Sequence, residues 1–150
     1  IRAGEMEFDS TYYIDLFDSL PVCTVREIRW ISGRTVMVTA LDNADCVGVD
    51  ATTNSADLWY TNYFVDIDTG VGWQVPGMGR FIMQNTLPPF YAYGYAFWQG
   101  YTARYHVDDE GNFHGSQTEI YRISQSDLRA ERAFGIPTGD NWGIGAMSVR

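Results

Sequence analysis

Residues 58–67 read Leu58-Trp59-Tyr60-Thr61-Asn62-Tyr63-Phe64-Val65-Asp66-Ile67. Trp59, Thr61, Tyr63, Val65 and Ile67 alternate without a break. A period of two in aromatic and β-branched residues is what pleated backbone buries; a helix repeats its apolar positions every three to four residues. The run ends in Asp68-Thr69-Gly70, a turn sequence, and resumes as Val71, Trp73 and Val75 until Pro76-Gly77 breaks it.

The same rhythm extends in both directions. Residues 22–31 are rich in β-branched side chains but slip phase. Cys23 and Val25 share one parity and Ile28 and Trp30 the other, which predicts a bulge near Arg26-Glu27. Ser32-Gly33-Arg34 makes a tight turn, and 35–41 return with Val36, Val38 and Ala40 on one face. Downstream, residues 80–84 form a short strand, Leu87-Pro88-Pro89 is a rigid connector, and 90–98 read as one strand with unequal faces. Residues 101–107 and 112–123 form a hairpin around Asp109-Glu110-Gly111, a loop suited to a type I turn with a glycine bulge.

Helix signals are sparse. Asp9-Ser10 can cap a short helix with Tyr13, Leu16, Phe17 and Leu20 on one face, stopped by Pro21. A second is expected at 128–134, capped by Ser124 or Ser126, with Asp127 in its first turn and Gly135 and Pro137 ending it. The expected fold is therefore mostly β. It is a single antiparallel domain over 1–150, a sandwich or a barrel of eight to nine short strands with two short helices.

Charge and cysteine content narrow the function classes. Ten basic residues, all of them Arg, stand against nineteen acidic ones, a net charge of −9. Such a surface repels phosphate backbones and anionic lipid, so neither nucleic acid nor membrane insertion is expected. Cys23 and Cys46 are expected to form a disulfide worth roughly 3 kcal/mol. A disulfide suits a secreted, periplasmic or cell-surface protein. There is no Gly-x-Ser-x-Gly, phosphate loop, Cys-x-x-Cys or His-Glu-x-x-His. Gly139–Gly145 follow the expected helix and precede none, the wrong setting for a dinucleotide fingerprint. No cofactor is expected, and catalysis is not favoured.

Three constellations remain as candidate sites. Tyr91, Tyr93 and Tyr95 would stand in a row if 90–98 were one strand, with small residues on the other side. They would form either the core or an aromatic platform. With Trp59, Trp98 and Arg104 they make the candidate ligand- or partner-binding set. His106 falls opposite His114 in the expected hairpin, with Asp108 on the same face. This is a candidate metal or acid–base site set against the plainer reading of a solvated hairpin. Arg104 in the same cluster opposes a cation. Asp66-Ile67-Asp68-Thr69-Gly70 resembles a fragment of a calcium loop and the triplet of aspartic proteases. It lacks the later loop ligands and the partner segment, and an ordinary hairpin turn explains it.

The favoured function is an exported, non-catalytic binding or assembly module. Its aromatic surface and strand edges would contact further copies or other protein subunits. The competing reading is a lipocalin-like barrel enclosing a small apolar ligand, as a carrier or a cofactor-free enzyme of cyclase or isomerase type.

Overall fold

The computed structural model describes residues 14–49, 53, 58–82, 89–102, 106–107, 113–114 and 117–137. They form two open antiparallel sheets packed face to face, a β-sandwich and not a closed barrel. The first sheet contains β1 (Val22–Ser32), β2 (Thr35–Asp42), β3 (Trp59–Asp66) and β4 (Gly72–Gln74) in that order, with β5 (Phe81–Ile82) added to the start of β3. The second contains β6 (Phe90–Ala92), β7 (Tyr95–Thr102), β10 (Gln117–Ser124) and β11 (Ala130–Pro137), in the order β11-β10-β7-β6. Between β7 and β10, the short β8 (His106–Val107) and β9 (Phe113–His114) pair with each other.

The phase slip in β1 has the expected cause. Val25 pairs with Ala40 and Glu27 with Thr39, so Arg26 is extra. The bulge returns Ile28 to the face that holds Val25. Two further irregularities leave Cys23 and Ile31 without partners on β2, and Ile31 lies in the core between the sheets.

That core joins Ile31, Met37, Phe64 and Phe81 of the first sheet, with Val75 and Met78 from the segment between β4 and β5, to Ala96, Trp98, Tyr121 and Ile123 of the second. Phe81 stands edge-on to Trp98 with ring centres 4.9 Å apart, and edge-on to Tyr121 at 5.7 Å. Such edge contacts add to the large area each ring removes from water. β2 and β3 are buried on both faces, which their alternating pattern did not announce. The outer face carries a second cluster of Val22, Val36, Val38, Ala40, Tyr63 and Val65, packed by Leu20, Ile14 and Leu16. Inside the first sheet, Thr39 donates a hydrogen bond of 2.6 Å to the Asn62 amide oxygen and the Asn62 amide N–H donates to Met78 Sδ at 3.1 Å, so both buried polar side chains are partnered.

Three expectations need correction. The first helix is a single turn, α1 (Leu16–Ser19), capped by Asp15, whose carboxylate accepts from the Phe17 N–H; Phe17 is exposed. Asp9, Ser10 and Tyr13 lie outside the described residues. The expected second helix is instead β11, which pairs along β10 from Gln117↔Pro137 to Ile123↔Ala130. Its capping residues shape a hairpin loop: Ser124 Oγ accepts from the Asp127 N–H and Asp127 accepts from the Arg129 N–H. Ser and Asp serve caps and turns by the same local hydrogen bonds, and a sheet edge needing a partner decided between them. Finally, 90–98 are not one strand. β6 and β7 form a hairpin whose two-residue turn, Tyr93-Gly94, has φ of 52° and 78°. Positive φ at both central positions marks a type I′ turn.

Candidate functional site

The sandwich has two long sides. On one, Tyr91 of β6 bonds to Trp30 of β1; on the other, Trp73 of β4 and the following Gly77 lie near Ala130 at the start of β11. The first side carries Ile28 and Trp30 of β1 and Tyr91 and Tyr93 of β6 and its turn, all of them exposed. Ile28 pairs with Val38 and Trp30 with Val36, so both stand on the outer face of β1, and Trp30 is 51% exposed. Tyr91 pairs with Ala96, a core residue, so its ring leaves β6 toward the first sheet. There its hydroxyl donates to the Trp30 carbonyl oxygen, tying the two sheets together. Desolvation raises the Tyr91 pKa, and the nearby charge of Arg29 partly offsets this. Tyr93, at the tip of the adjoining turn, is 77% exposed. Gln125 secures the same corner: its side-chain N–H donates to the Ile31 carbonyl at 2.7 Å and its backbone N–H to that of Gly94 at 2.9 Å.

The tyrosines therefore form no row. Tyr91 leans inward, Tyr93 occupies a turn, and Tyr95 stands on the opposite face of the second sheet. There it neighbours Phe97 at 6.3 Å and lies under the Arg122 guanidinium at 5.5 Å. Trp98 is wholly buried between the sheets. Trp59 is partly exposed at the start of β3, far along the strand, and its carbonyl accepts from Arg80, which also pairs with Asp45. Arg104 lies outside the described residues.

His106 pairs with His114 across β8 and β9, the expected register. Asp108 lies outside the described residues. Among the described residues no group of three His, Cys, Asp or Glu side chains is placed to hold a metal ion.

The Asp66–Gly70 segment is a hairpin turn. The Asp66 carboxylate accepts the N–H groups of Asp68 and Thr69, both at 3.0 Å, and receives Arg34 at 2.9 and 3.1 Å. These partners, Arg34 first, hold the Asp66 pKa down at about 2. Gly70 has φ of +71°, which glycine adopts without strain.

Cys23 and Cys46 form a disulfide with Cα atoms 6.5 Å apart. It ties the start of β1 to the 3-10 turn Asn43–Asp45 that follows β2. Among the described residues no helix is long and apolar enough to cross a membrane.

Comparison with family models, curated proteins and solved structures finds no match.

Ile28 and Trp30 were not read as site residues from sequence. The bulge at Arg26 puts them on the outer face with Val25, and the phase slip alone does not say that this face of β1 stays uncovered. Only the position of β1 at a sheet edge shows that nothing in the described structure covers them.

Proposed function

We propose that this chain is an exported, non-catalytic assembly module whose surface at Ile28, Trp30, Tyr91 and Tyr93 packs against a second copy. The observation that carries this reading is that large exposed side chains of two different sheets, Ile28 and Trp30 of β1 and Tyr91 and Tyr93 of β6 and its turn, lie along the same side of the sandwich. The Tyr91–Trp30 hydrogen bond holds them at one corner. Tyr and Trp suit such surfaces because they offer large, stiff contact area with few torsions to freeze.

Tyr93 adds support. A non-glycine residue at φ 52° is strained, and Asn is the residue usually favoured at that turn position. An exposed tyrosine kept there at a cost in stability fits a role at the surface. The disulfide supports export, since such bonds persist mainly in oxidising compartments.

The contact is assigned to side chains and not to strand edges. β1 carries bulges and points the paired charges Glu27 and Arg29 inward, β4 and β6 are three residues long, and β11 carries a bulge and ends at Pro137. These are the devices by which edges resist pairing.

The net charge of −9 opposes association of like copies, so the assembly should tighten as salt screens it. Light scattering across protein concentration tests the reading. The wild type should form dimers or larger species, more so at high salt, and Trp30→Glu should remain monomeric with an unchanged circular dichroism spectrum. A wild type that stays monomeric at high concentration and high salt overturns it.

A further inference from the structure

The opposite side of the sandwich holds a cleft of about 480 Å³ between β4 and the β10–β11 loop. One wall is Trp73 with Pro76 and Gly77; the other is Asp127, Leu128 and Arg129. Trp73 pairs with the core residue Phe64 and meets its ring edge-on at 6.0 Å, which fixes the indole while leaving it 37% exposed. Gly77 lies beside the start of β11, where a Cβ would sit 3.6 Å from the Ala130 carbonyl oxygen, so the two walls approach each other closely at that end.

The facing loop is built around a left-handed residue that is not glycine. Leu128 has φ of 59° and its N–H donates to the Ser124 carbonyl at 3.0 Å, while its side chain packs on the core. This sets Asp127 and Arg129 on either side of it at the cleft. Arg129 is 73% exposed and is directed to Glu131 at 3.0 Å, and Asp127 accepts the Arg129 N–H. Strained, well-held backbone is concentrated where side chains must be placed for a ligand.

The lining selects the ligand class. The Arg129 guanidinium is already paired with Glu131 and the Asp127 carboxylate already accepts from the backbone, so neither is left as an unpaired charge for a small ion to neutralise. A purely apolar molecule would strip water from both charged groups without replacing their hydrogen bonds. A neutral molecule that offers donors and acceptors around its rim and a C–H face to the indole satisfies all three side chains. The volume is within the range of small-molecule sites. We propose that this cleft binds a neutral saccharide, one ring stacking on Trp73 while its hydroxyls donate to Asp127 and accept from Arg129. The site lies on the other side from the aromatic corner and does not depend on it.

The test is a titration of the ¹⁵N-labelled full chain with neutral methyl glycosides and disaccharides of glucose, galactose, mannose and N-acetylglucosamine. The Trp73 indole N–H resonance should shift saturably with at least one of them, while the buried Trp98 indole stays put. Trp73→Ala should abolish the response, and Asp127→Asn should weaken it roughly tenfold or more while keeping the turn. Arginine amide and acetate should produce no saturable shift. The proposal fails if no glycoside saturates the Trp73 signal, if Trp73→Ala binds as the wild type does, or if either charged probe binds instead. An unchanged Trp98 signal in each variant shows that the fold is intact.

Discussion

At the scale of single residues, two side chains make the physical argument testable. Asp66 is held at a pKa of about 2, against an ordinary value of 3.8, chiefly by Arg34. A folded-state pKa below the unfolded one contributes stability that is complete above about pH 4 and is lost as pH falls toward 2. Both groups meet water, so the contribution is modest and screened by salt. Acid unfolding followed by circular dichroism should therefore show a shallower loss of stability between pH 4 and 2 in Asp66→Asn than in wild type. Equal slopes would mean that the pair does nothing in solution. Tyr93 is the second case. Replacing it with Asn gives the turn the residue that positive φ prefers, and should raise stability by about 0.5–1 kcal/mol in urea unfolding. The same change should weaken association. A variant that is less stable than wild type would show that the Tyr93 ring makes packing contacts worth more than the strain.

Elements depend on where backbones come close. Gly100 on β7 leaves room for Phe81 and Trp98, whose rings would collide with a Cβ there. Gly100→Ala should cost about 1–3 kcal/mol by overpacking, read as a lower denaturation midpoint at unchanged slope. No loss of stability would mean that the β5–β7 contact is loose. The alternating patterns located β1 to β4, the bulge at Arg26, the Asp68–Gly70 turn and the pairing of His106 with His114. They failed at β11, where Ser124 and Asp127 carry the same chemistry in a cap and in a turn. They also failed at Tyr93-Gly94, because Tyr is not a turn residue and the apolar alternation passes straight through it. One misplaced turn dissolved the tyrosine row, since reversing the chain puts Tyr91 and Tyr95 on opposite faces. Periodicity reports which residues are apolar in sequence; it is silent on a reversal made by residues that are apolar themselves.

At the scale of the molecule, the choice between sandwich and barrel was never legible, because it depends on whether edge strands meet. Among the described residues they do not: β1, β4, β6 and β11 end the two sheets, and the core between them is filled by Phe81, Trp98 and Tyr121. That open arrangement creates two long sides, and both candidate surfaces lie on them. Trp30 and Trp73 could be seen in the sequence only as strand residues, since nothing local says that a strand will be an edge. Hydrogen–deuterium exchange at low and high protein concentration tests the assembly reading most directly, because it reports both association and its place. Exchange should slow at high concentration in peptides covering Ile28–Trp30 and Tyr91–Tyr93 and nowhere on the β4–β11 side. Identical exchange at both concentrations, or slowing confined to other strands, would contradict it.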